Sequence, residues 1–145
     1  MGCTADLLAF SQGSFIIGHV GDSRTYRLKN STLKQLTKDH SLVQEQLDQG
    51  LISPEEARRH AMRNVILRAV GVNVTVALDI LKGKKNPGDL FLLCSDGLTD
   101  MVGDPAVFSA LSADGNLSEK SAALIQLAKQ AGGKDNVTVV LSAVV

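Results

Sequence analysis

Leu90-Phe91-Leu92-Leu93-Cys94-Ser95-Asp96-Gly97-Leu98-Thr99-Asp100 is the stretch that decides the reading of this chain. Five of its first six residues are apolar or cysteine, so it predicts a buried strand. The strand runs into a carboxylate, a glycine, and a second carboxylate four residues on. A carboxylate at the mouth of a buried strand costs free energy unless something pairs it, and a bound cation is a common partner. Downstream, Gly132-Gly133-Lys134-Asp135-Asn136 delivers an Asp directly before the apolar run Val137-Thr138-Val139-Val140-Leu141. Upstream, Phe15-Ile16-Ile17-Gly18-His19-Val20 runs into Gly21-Asp22-Ser23-Arg24. Three apolar strands, each with an aspartate at one end, suggest carboxylates converging on hard metal ions.

Around this frame the chain reads as α+β. Cys3 to Ser11 and Ser14 to Asp22 predict two strands joined at a turn containing Gly13. Thr25 to Leu28 and Thr32 to Thr37 follow across Lys29-Asn30-Ser31, and the four read as one antiparallel meander. Ser41 to Gln49 has helical spacing and stops at Gly50. Ser53-Pro54-Glu55-Glu56 carries a cap, a first-turn proline and an acidic third position, predicting a short polar helix to His60. Asn64 to Ala69 fits helix or strand. Val74 to Leu81 reads as a strand, and Lys82 to Asp89 as a turn-rich loop. Pro105 to Leu111 reads as a helix capped by Asp104, and Ser118 to Ala131 as a helix capped by Ser118. Val137 to Val145 reads as a final buried strand.

Bulk properties set limits. Fifteen basic residues balance fifteen acidic ones, which argues against nucleic acid or an acidic membrane surface as partner. Aromatic content of 3% without Trp argues against stacking platforms for single-stranded nucleic acid or sugars. No apolar run is long enough to span a bilayer. The start, Met1-Gly2-Cys3-Thr4-Ala5-Asp6, lacks the basic region of a secretion signal and the Ser or Thr of a myristoylation site, so the chain reads as cytoplasmic. Cys3 and Cys94 accordingly read as reduced thiols. His19, His40 and His60 lack zinc-ligand spacing and read as structural or exposed. Gly132-Gly133-Lys134 does not complete a phosphate-binding P-loop.

The ordered motifs resemble the metal-dependent Ser/Thr protein phosphatases of the PP2C (PPM) family, bacterial type. The resemblance rests on Met1 to Thr4, Val20 to Arg24 with Tyr26-Arg27, Leu36 to Ser41, Asn64 to Gly71, Gly88 to Asp100 and Gly132 to Thr138. It covers nearly the whole chain, yet 145 residues are fewer than a complete domain of this family. The blocks match the C-terminal part of the domain. The family's phosphate-binding arginine and an Asp-Gly metal motif have no counterpart here. The resemblance therefore implies a layered β-sandwich flanked by helices with its N-terminal part missing, and a flap-like helical insertion over about 38–70. It implies hydrolysis of phosphoserine and phosphothreonine by metal-activated water, in a truncated form expected to be inactive alone. Asp96 would bridge the metal cluster and Asp135 would supply the other carboxylate of the same metal, with Asp22, Asp96 and Asp100 holding a further ion. All are oxygen donors, which suits Mn²⁺ or Mg²⁺, two to three ions in the complete domain. Arg24 and Arg27 read as solvated strand ends or salt-bridge partners in preference to phosphate ligands. Cys94 has no Arg in the following phosphate-loop position and is not a nucleophile. Implied partners are phosphorylated Ser/Thr proteins and a cognate Ser/Thr kinase. Sheet edges left open predict a homodimer. The alternative is a non-catalytic module of the same fold that binds phosphoproteins or another partner.

Overall fold

The computed structural model describes residues 1–145. Two antiparallel sheets stack face to face. The first contains β1 (Ala5–Ser11), β2 (Ser14–Val20) and β5 (Asp79–Lys84), in the order β1-β2-β5. The second contains β3 (Arg24–Lys29), β4 (Thr32–Gln35), β6 (Leu90–Cys94) and β7 (Val139–Ala143), in the order β4-β3-β6-β7. Five helices complete the chain: α1 (Leu42–Asp48), α2 (Pro54–Arg59), α3 (Asp96–Thr99), α4 (Asp104–Ser112) and α5 (Leu117–Gln130).

β6 is central to its sheet and feeds both cores, which is why it reads as an unbroken apolar run. Leu90, Leu92 and Cys94 pack with Val107, Leu111, Leu124 and Ala128 of α4 and α5. Phe91 points the other way and meets Phe15 and Ile17 of β2. The Phe15 and Phe91 rings sit edge to face with centroids 4.9 Å apart. Each such fully buried side chain contributes about 1.5–3 kcal/mol of transfer free energy. The layers are therefore helices, second sheet, first sheet. The outer face of the first sheet is uncovered: Leu7 (61% exposed) and Ile80 (55%) flank Gly18 in register.

Several expectations are corrected. The first four strands are two hairpins in different sheets, not one meander. The chain crosses between sheets at Gly21, whose φ of +112° suits only glycine and whose Cα lies against the Thr4 side chain. β5 starts at Asp79, later than expected, and continues through Lys82-Gly83-Lys84 because β2 offers pairing partners as far as Ser14. Phe15 lies over Gly83, where a Cβ would collide with the ring. β7 is an edge strand with Val140 54% exposed, so it is not uniformly buried. Asn64 to Ala69 is neither helix nor strand; isolated bridges tie Ser41 to Ile66 and Cys3 to Val70. α4 is capped by Gly103, which frees the Asp104 carboxylate to accept from the Tyr26 hydroxyl at 3.1 Å. α5 is capped by Asn116, because Glu119 reaches back to the Asn116 amide while Asn116 accepts from the Glu119 amide. Ser53 caps α2 as expected, and Ser41 caps α1. Cys3 and Cys94 are free thiols.

Candidate metal centre

The aspartates singled out in the sequence lie at one end of the sandwich. β6 ends at Cys94, and Ser95 turns the chain into α3. The Ser95 amide donates to the Thr138 carbonyl and the Ser95 hydroxyl accepts from the Thr138 amide, both at 3.0 Å. Next to this stitch, Gly97 lies directly against the carbonyl of Asn136, with no room for a Cβ. The two contacts bring the Asp96 turn and the Asp135 loop together. Asp96 opens α3 and Asp100 closes it one turn later, on the same side of the helix. Asp135 is exposed, and its carboxylate accepts from the Asn136 amide at 2.7 Å.

Asp22 arrives from the other sheet, in the loop after β2, and is 9% exposed. It lines a cleft of about 600 Å³ together with Asp96 and Asp100. Burial, followed by the negative charge of Asp96 and then of Asp39 and Asp100, pushes the Asp22 carboxyl up to about 6. Burial also raises Asp96, with Asp100 and Asp135 adding to it. These are carboxylates held near one another against their mutual repulsion. Asp22, Asp96 and Asp100 line the cleft without forming a closed cage, and Asp135 lies outside its lining. No three His, Cys, Asp or Glu side chains are close enough to hold an ion by themselves.

Both candidate arginines are engaged elsewhere, as expected. Arg24 makes a forked pair with Asp39, with contacts of 2.7 to 3.1 Å, and reaches the Tyr26 hydroxyl at 3.3 Å. Arg27 pairs with buried Asp89 and lies over the Phe15 and Phe91 rings. Burial pushes the Cys94 thiol up to about 12, which removes it as a nucleophile. His19 is enclosed by Asp6 at 2.5 Å and the Lys38 carbonyl at 2.9 Å, a structural role. Sequence reasoning passed over Asp39, which lines the cleft and adds negative charge near Asp22. Its place in a polar loop carries no periodic signal, and its partner Arg24 lies fifteen residues away in the sequence.

A sequence profile described as protein phosphatase 2C matches residues 1–130. The chain belongs to the protein phosphatase 2C family. It is 45% identical over 141 residues to a serine/threonine phosphatase, stp, of Listeria welshimeri, covering 97% of this chain and 56% of that protein. The crystal structure of the Mycobacterium tuberculosis serine/threonine phosphatase PstP/Ppp superposes with a TM-score of 0.93 at 41% identity, over 97% of this chain and 59% of that one. A PstP catalytic domain in complex with two manganese ions superposes at 0.88 and 40% identity, over 97% and 58%. The chain thus spans little more than half of these PP2C domains.

Proposed function

We propose that this chain supplies the Asp22, Asp96, Asp100 and Asp135 part of a PP2C metal centre that hydrolyses phosphoserine and phosphothreonine in proteins, and that it is inactive alone. The observation that carries the reading is the shared cleft, where burial and mutual repulsion leave Asp22 and Asp96 poorly stabilised as anions. The all-oxygen donor set fits Mg²⁺ or Mn²⁺ and is wrong for zinc. When bound, such ions neutralise charge and supply a nucleophile at neutral pH for attack on phosphorus.

The chain's own residues have separate tasks. Asp96 joins the Asp135 side of the centre to the Asp22–Asp100 side. Ser95 and Gly97 hold the Asp96 and Asp135 loops in contact. Asp39 keeps Arg24 forked and away from an incoming phosphate. Residues of α1 and α2, among them Gln44, Leu47, Ala57 and Arg58, form the far wall of the cleft, which supports a flap over about 38–70 that contacts the phosphoprotein.

Calorimetric titration of Mn²⁺ into the chain, beside Asp96→Asn, tests the site. Binding by the parent that Asp96→Asn abolishes is the expected result; equal binding by both would refute the assignment of Asp96. Incubation with a phosphothreonine peptide and Mn²⁺ tests inactivity, and release of phosphate at the rate of a full-length relative would overturn that part. Peptide capture without phosphate release would instead favour the non-catalytic module.

A further inference from the structure

His40 is tied to the residue before Asp22 by hydrogen bonds to the Gly21 main chain and does not itself line the cleft. The Gly21 amide donates to His40 Nδ1 at 3.1 Å, and the His40 amide donates back to the Gly21 carbonyl at 2.7 Å. On the other side of the ring, His40 Nε2 lies 2.9 Å from Asp79 Oδ2 of β5, and Arg68 braces Asp79 at 3.3 Å. The buried His19 ring lies against it, with centroids 4.7 Å apart. This environment fixes the tautomer. Nδ1 must be bare to accept from Gly21, so Nε2 carries the proton and donates it to Asp79. Gly21 is the sheet-crossing residue at positive φ, and Asp22 follows it directly.

We propose that His40 is a positioning residue for Asp22: its bare Nδ1 fixes the Gly21 amide and thereby the direction in which Asp22 enters the cleft, while Asp79 selects the tautomer that permits this. The inference deepens the metal-centre reading and rests on it for its consequence for metal affinity. It is the hydrogen-bond logic by which outer groups orient ligands, applied through a main-chain amide.

Two substitutions divide the ring's functions. In His40→Asn, the side-chain oxygen takes the place of Nδ1 and can accept from Gly21, but nothing reaches Asp79. In His40→Gln, the terminal amide takes the place of Nε2 and can donate to Asp79, but the Gly21 acceptor is lost. Both variants keep the backbone bond from residue 40 to the Gly21 carbonyl. Amide exchange of Gly21 in the metal-free chain and Mn²⁺ affinity by calorimetry are the two readouts. The expected result is that Gly21 exchanges at least about tenfold faster and Mn²⁺ binds about 10–100-fold more weakly in His40→Gln, with His40→Asn staying within about threefold of the parent on both. Unchanged Gly21 exchange in His40→Gln would overturn the proposal. So would equal losses in the two variants, which is what a merely structural histidine gives. A parent that binds no Mn²⁺ would sink the metal-centre reading, and the Gly21 exchange rates would still decide whether His40 holds the loop.

Discussion

Replacing Asp22 by Asn is expected to stabilise the metal-free chain at neutral pH. Asp22 lies in the fold with its carboxyl raised from an ordinary 3.8 to about 6, first by burial and then by Asp96. At 1.36 kcal/mol per pH unit, that difference amounts to about 3 kcal/mol of unfavourable interaction with the ionised form. The sign follows from proton uptake. Between pH 3.8 and about 6 the folded chain holds the Asp22 proton more tightly than the unfolded chain, so stability falls as pH rises through this window. Above it the full penalty remains. Asn has the same shape and cannot ionise, so Asp22→Asn should exceed the parent by up to about 3 kcal/mol at pH 7.5 and match it near pH 4. Urea unfolding with EDTA across this range measures both curves. His19 slopes the same way: Asp6 overcomes the opposing effect of burial and raises its proton affinity, so its stabilisation is lost as pH rises through the folded value. That contribution is common to both chains and cancels in the difference. Parallel curves from pH 4 to 7.5, or a less stable Asp22→Asn at pH 7.5, would refute the reasoning. Mn²⁺ should reverse the order. Free Mn²⁺ at one thousand times its dissociation constant stabilises the parent by about 4.1 kcal/mol, which exceeds the penalty of about 3 kcal/mol, and the variant should gain less than about 1 kcal/mol.

Gly97→Ala places a methyl group against the Asn136 carbonyl and should separate the Asp96 and Asp135 loops; a loss of about 1–3 kcal/mol in urea and weakened Mn²⁺ binding are expected, and parent-like values for both would contradict the contact. A thiol reagent at pH 8 should label one cysteine of the native chain, exposed Cys3, and both only after unfolding; rapid native labelling of Cys94 would contradict its burial. The uncovered sheet face around Leu7 and Ile80 and the open edge at β7 should drive self-association, visible by light scattering at about 100 µM. Leu7→Lys with Ile80→Lys should shift the chain toward monomer, and a monomeric parent at that concentration would rule the association out.

The elements legible in the sequence are those whose signal is local. The helical spacing after Ser41, the Ser53 cap, the Gly13 turn and the apolar run of β6 each carry their cause within a few residues. The elements misread depend on partners far away in the chain. β5 takes its start and end from β2, and Gly83 tolerates strand pairing only because Phe15 covers it. The two-sheet crossing at Gly21 looks like an ordinary turn until Thr4 and His40 are seen on either side of it. The α5 cap moved from Ser118 to Asn116 because the reciprocal bond with Glu119 is the stronger signal.

The same distinction explains the site. Asp22, Asp96 and Asp135 stand out in the sequence because each lies at one end of an apolar strand, where an unpaired carboxylate needs a reason, and Asp100 follows Asp96 by one helical turn. How they meet is not legible, because no carboxylate is placed by its own strand alone. Asp96 and Asp135 depend on the absence of a side chain at Gly97 and on the Ser95–Thr138 stitch between β6 and β7. Asp22 depends on an imidazole from a loop eighteen residues later, whose orientation in turn depends on Asp79 of a third segment. In the metal-free chain Asp96 and Asp100 bear on Asp22, and Asp100 and Asp135 on Asp96, and the groups that hold this geometry carry no charge toward the cleft: a hydroxyl, a glycine and a histidine whose Nδ1 is bare. Substituting those groups should therefore weaken metal binding without relieving the repulsion that substituting a ligand relieves. That opposite response of stability, a gain for Asp22→Asn and a loss for Gly97→Ala, separates the residues that would hold the ion from those that place them.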